Sequence, residues 1–485
     1  MKAESKKTYK SFFFILAFVL NSCFGSFLVG YKLGELNLLL IDLKHIYKWS
    51  ESSTSIYTGL LNAMVPLGAI LGAIISGNFF SKVGRKWGLI IADIFGIIGS
   101  LSCIFIGHGA YPQIIGRFIS GIAAGINCQL IPLYINELAP IEICGFMGSF
   151  FQSFLNIGIM ASYIMGLKIP DDSADYDVRD NWWKFVFAFP ILTCLIRVSL
   201  LLTCFNFDTP FSLMKQRKDE SVAKVMKNIY EDEYIDDVVQ NLETKINSYQ
   251  DVSFKELISM YQSRLILGIF LMMAQQLSGV NAVVTESSTL YDYNGDTQQV
   301  KILTIANSLV LLLASVISGW TSDIWGRRRM ILVGNFACVC CLLLMGIFME
   351  FSSTAMKLVS ISMTYLFLFS FGISLGPVIW VYEPEILPDR GISLAVIANW
   401  FFCGLVIFST PILIEKIGIS ALYFIFMSFL IICQFYLHFY MKETKGLSAA
   451  EVDDIFGMGR IKEEEGSEDG INNDKHIDKG YGKWD

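Results

Sequence analysis

The chain has 485 residues, of which 54% are hydrophobic and 17% charged, with a formal net charge of −7. Soluble domains carry about 25% charged residues, so this composition points to lipid as a solvent, and the acidic balance excludes the basic footprint of a nucleic-acid binder. Twelve apolar stretches are each long enough to cross ~30 Å of hydrocarbon as a helix of ~20 residues.

In chain order the stretches fall at 12–31, 56–79, 88–107, 111–135, 145–167 and 185–205, then at 264–290, 300–321, 330–350, 357–382, 391–416 and 419–441. Lys2, Lys6, Lys7 and Lys10 precede the first. A signal peptide has similar flanks, but this apolar run is long and ends without a small-residue cleavage site, which favours a retained first helix. The lysines put the N-terminus in the cytosol, and twelve spans return the C-terminus there. Lys82, Arg85 and Lys86, and Arg327, Arg328 and Arg329, then lie inside. Asp171, Asp172, Asp175 and Asp177 lie outside, although Lys168, Arg179 and Lys184 share their loop.

A polar segment, 208–262, separates a first bundle (1–207) from a second (263–442). Val222, Val225, Met226 and Ile229 share a helical face in it, so short cytosolic helices are expected. The tail 443–485 begins with a helix through Phe456 and then takes on the composition of a disordered segment. The eleven cysteines sit mostly inside apolar stretches and read as packing residues rather than a disulfide framework. No metal-ligand spacing, cofactor motif or nucleophile–base cluster stands out, so no enzyme chemistry is expected.

The two halves repeat each other. Gly77 to Lys86 follows the second span as Gly319 to Arg328 follows the eighth. Glu137, Pro140 and Gly145 after the fourth span return as Glu385, Pro388 and Gly391 after the tenth. Asp208-Thr209-Pro210 closes the first half and Glu443-Thr444-Lys445-Gly446 the second. Such an internal duplication of six helices places a substrate near the midplane between the repeats. Arg85, Glu137, Asp208, Asp323, Arg327, Arg328, Glu385, Arg390 and Glu443 all fall at cytosolic helix ends. They are either solvated topology charges or bridges between halves, and their repeated placement favours bridges.

Within the spans, Gln275 and Gln276 sit near mid-membrane and Asn281 one to two turns further out. Amides in an apolar helix are costly unless paired or used; interhelical bonding and substrate contact both satisfy that condition. Gly376-Pro377 should break or bend the tenth helix, because proline removes a backbone hydrogen bond. Lys32, Glu286 and Glu415 reach similar depths near the outer face. Lys32 either snorkels to the headgroups or pairs with Glu286 or Glu415 across an outer gate.

Together the paired loops, Gly116-Arg117, Pro132-Leu133-Tyr134-Ile135-Asn136-Glu137, Gln275 to Asn281, Gly376-Pro377 with Trp380, and Glu443-Thr444-Lys445-Gly446 carry a resemblance. Up to about Val452 the chain resembles the sugar porter family of the major facilitator superfamily, nearest its facilitative hexose carriers. Residues 281–291 are similar to the apicomplexan branch. The resemblance implies an all-α integral membrane protein of two six-helix bundles, working by alternating access as a monomer. A hexose and the bilayer are its expected partners, and the plasma membrane its expected site. It implies sugar contacts at Gln152, Gln275, Gln276, Asn281, Trp380 and Asn399; gating is expected at Lys32, Glu286 and Glu415 from their shared depth, with Thr285 beside Glu286, and at Gly376 and Pro377 from the bend they impose.

Departures from the family pattern carry expectations too. Cys144 and Phe211 replace two cytosolic arginines, which predicts a weaker inner latch in the first half. Thr285 and Glu286 replace two tyrosines. Lys32 replaces an Asp or Asn, and proton-coupled members carry Asp there, so facilitated diffusion is favoured, with Glu286 left as an alternative titrating group. The rival expectations are a proton-coupled carrier of sugar or another organic solute, and a non-transporting sugar sensor.

Overall fold

A computed structural model describes residues 8–80, 83–105, 110–168, 181–249, 252–285, 297–351 and 353–457. Among them the architecture is helical, with one isolated β-bridge between Tyr9 and Tyr230. The first half comprises α1 (Phe12–Tyr47), α2 (Glu51–Ile75), α3 (Arg85–Ile104), α4 (Tyr111–Leu138), α5 (Cys144–Gly166) and α6 (Trp182–Leu202). Four short helices form the connection: α7 (Pro210–Lys215), α8 (Asp219–Ile229), α9 (Ile235–Tyr249) and α10 (Phe254–Ser259). The second half holds α11 (Gln262–Leu277), α12 (Val280–Thr285), α13 (Thr297–Trp325) and α14 (Arg327–Met349). It continues with α15 (Thr354–Ile373), α16 (Pro377–Ile386), α17 (Asp389–Tyr440) and a terminal α18 (Ala449–Ile455).

Among the described residues, eleven helical runs are long and apolar enough to cross a membrane. The last, α17, turns at Gly418 (φ 82°, ψ 160°), a backbone state that glycine adopts without a Cβ clash. The turn makes two spans of one run and gives the twelve that the sequence predicts, divided where 416 meets 419. Three helices differ from expectation. α1 runs on to Tyr47 rather than stopping near 31, because Lys32 and Glu35 neutralise each other inside it. The seventh span is not continuous: it breaks at Ser278-Gly279, where Gly279 has φ 79°. The tenth breaks between Ile373 and Pro377, as the Gly376-Pro377 pair requires.

Close packing inside the first half comes from small residues. A Cβ on Gly30 or Gly158 would meet the α5 or α1 backbone, and one on Gly68, Gly121 or Gly125 would do the same between α2 and α4. Large apolar side chains such as Leu192, Ile302, Phe336, Phe408 and Phe435 point outward and are exposed. That is the pattern of a body solvated by lipid.

The halves meet along α5–α13 and α2–α17. Asn156 donates to the Leu311 carbonyl (3.0 Å) and Ser153 bonds Ser315 (3.0 Å). Phe146 stacks on Trp320 with centroids 5.6 Å apart. Ser393 donates to the Ala73 carbonyl (2.6 Å). At the start of α17, Gln129 donates to the Asp389 carbonyl (3.0 Å). The bundles are therefore packed against each other at the end where α17 begins. Beneath them, the predicted apolar face of α8 (Val222, Val225, Met226, Ile229) is buried. Lys10 reaches Asp232 at 2.7 Å and ties the start of the chain to the linker. That ammonium holds the Asp232 carboxyl below the usual carboxylate range. The predicted disordered part of the tail lies outside the described residues beyond 457.

Candidate functional site

Each half carries the same charge device at its helix ends. In the first, the Arg85 guanidinium at the start of α3 donates to Glu137 at the end of α4 (2.8 Å). Asp208 accepts the backbone N–H groups of Arg85 (3.1 Å) and Lys86 (3.3 Å), and the Thr209 hydroxyl donates to Glu137 (2.6 Å). In the second, Arg327 at the start of α14 donates to Glu385 at the end of α16 (2.8 Å). Glu443 accepts the N–H groups of Arg327 (2.8 Å) and Arg328 (3.1 Å), and Thr444 donates to Glu385 (2.5 Å). Helix N-termini expose unpaired N–H groups and a positive dipole end, which is why an acid at each half's closing motif docks there.

This geometry corrects several expected bridges. Asp208 and Glu443 cap helices inside their own halves rather than pairing with a side-chain cation. Arg328 spends its guanidinium on the His438 carbonyl. Arg390 donates to the Val252 carbonyl (2.7 Å) and lies over the Phe254 ring, so it holds the linker. Among the described residues one ion pair crosses between the bundles: Arg85 to Asp389, the first residue of α17, at 2.9 Å. Asp389 escaped the sequence reading, though it follows Pro388, a repeated position. Asp323 also reaches across, accepting the Phe146 N–H (2.8 Å) while bonded to Arg327 (3.2 Å). Phe211 keeps a contact with Arg85, whose guanidinium sits 5.7 Å from its ring. Cys144 is buried beside Asn136.

Deeper in, four amides form one connected cluster on α11, α12 and α17. Asn399 donates to the Gln275 carbonyl oxygen (2.7 Å), Gln276 to Asn399 (3.0 Å) and Asn281 to Gln276 (2.6 Å). Gln275 donates to the backbone carbonyls of Leu375 (3.1 Å) and Gly376 (3.0 Å). Those carbonyls lie at the α15–α16 break, and Gln275 satisfies them. The break that proline causes and the amide that serves it thus form one unit. On the facing half, Gln152 donates to Asn156 (3.2 Å), and Phe151 packs on Trp380 with centroids 4.9 Å apart. Gln152, Gln275, Gln276, Asn399 and Trp380 are all buried. Amides offer paired donors and acceptors, and aromatic rings offer flat apolar faces, a combination suited to a polyhydroxylated ring. A cavity of about 300 Å³ opens onto the charge network, lined by Glu137, Arg327 and Glu385 together with Met226, Tyr230 and Leu447, and none of the four amides lines it.

The outer charges depart most from expectation. Lys32 is fully buried and bonds both oxygens of Glu35, three residues on, at 3.0 and 3.2 Å. Arg117 on α4 reaches the same carboxylate at 2.9 Å. Lys32 therefore neither snorkels nor pairs with Glu415, which is exposed. Glu286 lies outside the described residues, and Thr285 ends α12. The missed partner had a local signal, since residues i and i+3 face each other on a helix. A second buried pair, Arg197 with Asp93 (2.7 and 2.8 Å) and Asn127 (2.9 Å), joins α6, α3 and α4.

Comparison with known proteins agrees with this architecture. The hexose transporter 1 of Plasmodium falciparum is 30% identical over 474 residues, covering 91% of this chain and 93% of that protein. The glucose transporter GlcP of Staphylococcus epidermidis is 28% identical, covering 90% and 96%. The solved proton:xylose symporter XylE bound to 6-bromo-6-deoxy-D-glucose superposes with a TM-score of 0.82 at 22% identity, covering 91% of this chain and 98% of that one. Residues 18–456 match one family's model, and the chain accordingly belongs to the Sugar (and other) transporter family, with the two-by-six helix fold of the major facilitator superfamily.

Proposed function

We propose that the chain is a facilitative hexose transporter, glucose being the favoured cargo, that works by alternating access as a monomer in the plasma membrane with both termini cytosolic. The observation that carries this reading is the amide cluster of Gln275, Gln276, Asn281 and Asn399, which joins the broken α11–α12 span to α17 and is tied to the break between α15 and α16. In the cycle, sugar hydroxyls exchange with the amide–amide bonds and Trp380 offers its face. The α11–α12 and α15–α16 breaks let the outer and inner ends of those spans move separately. Inward opening requires Arg85–Asp389 and Asp323–Phe146 to part. The relatives named as a hexose transporter and as a glucose transporter support the cargo class.

Downhill transport without a proton is supported by Glu35. The acidic group nearest the position where coupled members of the family carry Asp is clamped between Lys32 and Arg117, which together bond both of its oxygens. The test is radiolabelled glucose uptake into proteoliposomes, with and without an inward proton gradient and with fructose as competitor. Equilibrating uptake indifferent to the gradient is expected. Accumulation driven by the gradient would select a symporter, and no sugar flux would select a sensor or another solute.

A further inference from the structure

The inner half of α16 holds an acid that the charge network does not use. Glu383 is 1% exposed, and neither of its carboxylate oxygens accepts a hydrogen bond. It points at Gly268 on α11: Oε2 lies 2.7 Å, and Oε1 3.1 Å, from where a Cβ on that residue would stand. Leu387 closes the same space. Glycine thus leaves room for a carboxyl group in an apolar seam between the two helices whose breaks frame the amide cluster.

Among the described residues, the charged groups at this end of the surrounding elements are engaged elsewhere or exposed. Arg264, on α11, pairs with Asp453 of α18 (2.9 Å). Glu385, two residues along α16, and Asp323 of α13 share Arg327 of α14. Glu137 of α4 and Asp389 of α17 share Arg85. Arg390 of α17 and Arg328 of α14 go to backbone carbonyls. Arg329, Glu451 and Asp454 are exposed, and the α5 sequence carries no charged residue. An ionised carboxylate in this seam would have neither a cation nor a donor, an arrangement that membrane interiors penalise heavily.

We propose that Glu383 is a proton-binding site: it holds a proton while the inner ends are packed together and gives it to cytosolic water when α16 separates from α11. The proton is exchanged on the cytosolic side alone. It therefore acts as a regulator of inward opening and not as a co-substrate, which keeps the inference compatible with downhill transport. The closed form binds one more proton than the open form, so low cytosolic pH favours closure and high cytosolic pH favours opening.

The test uses full-length protein in vesicles with the cytosolic face outward, the lumen buffered and the bath taken from about pH 9 to about pH 6, the range in which buried carboxylates are known to titrate. Wild-type glucose flux is expected to fall with bath pH, by at most about tenfold per unit for one proton. Glu383→Gln, which mimics the neutral acid, should be flat and slow, and Glu383→Leu flat. A Glu383→Gln profile that tracks the wild type overturns the proposal, as does flux that follows lumenal pH instead. Infrared difference spectra of wild type against Glu383→Gln read the protonated carboxyl directly and require no flux. Its carbonyl stretch should be present at neutral pH, and its absence overturns the proposal. Loss of all sugar flux in wild type with that band present would instead refute the transport reading.

Discussion

Asp389→Ala removes the one described ion pair that joins the bundles. Arg85 is not stranded by the change, because Glu137 still holds it at 2.8 Å; folding should therefore survive, and the effect should fall on the inner equilibrium. A hydrogen bond to a charged group contributes about 1.5–3 kcal/mol. The Asp389 side chain is 18% exposed, so partial screening argues for the low end, roughly 1.5 kcal/mol. That corresponds to about a tenfold shift toward the inward-open form. Cys144 reports it: the thiol is buried, and its neighbour Gly145 packs on Asp323 across the bundle interface. With the exposed Cys204 replaced by serine, a membrane-impermeant maleimide applied from the cytosolic face should label Cys144 about tenfold faster in Asp389→Ala, since labelling follows the open population. Equal labelling in the two proteins would refute the idea that Arg85–Asp389 restrains opening.

Other outcomes follow from the same geometry. Glu35→Gln leaves Lys32 and Arg117 buried without their shared anion and should lower stability by about 3–5 kcal/mol, whereas Lys32→Ala keeps the Arg117–Glu35 pair and should cost distinctly less; thermal denaturation in detergent compares them. Gln276→Ala and Asn399→Ala each remove links of the amide cluster and should weaken glucose binding by about 1–2 kcal/mol apiece, with the double variant less than additive, as read by calorimetry. The Lys10–Asp232 contact has a definite pH sense. Asp232 is held below its ordinary value, so the contact is intact above the ordinary carboxylate range and is lost as pH falls through the depressed value. The amides of Lys10 and Glu231, which carry the hydrogen bonds of the adjacent Tyr9–Tyr230 bridge to Ile229 and Thr8, should lose protection, measured relative to the intrinsic exchange rate at each pH, as the solution is acidified, and Lys10→Ala should remove that pH dependence.

Much of the architecture was legible because lipid imposes a length on apolar runs and duplication repeats a motif. The division at 416–419 became the Gly418 turn, and the echo of Asp208-Thr209 in Glu443-Thr444 became two matching caps. The charge partners were less legible. A list of acids and bases at helix ends does not say which acid meets a guanidinium and which meets a helix N-terminus, so Asp208 and Glu443 were misassigned and Asp389 passed over. Lys32 was placed by depth along its helix, which ignores the partner three residues away; Glu35 won because a buried ammonium takes the nearest carboxylate. The Gly279 break was invisible for a similar reason, since a single glycine in an apolar run reads equally well as helix. Gln275, Gln276, Asn281 and Asn399 were singled out for being costly in lipid, but only the structure joins them into one network.

Alternating access of a hexose is tested most directly by counterflow. Proteoliposomes loaded with unlabelled glucose and diluted into a trace of labelled glucose should accumulate label transiently above equilibrium, then lose it, with no proton gradient present. Label that rises only to equilibrium at the rate of protein-free liposomes would contradict the account.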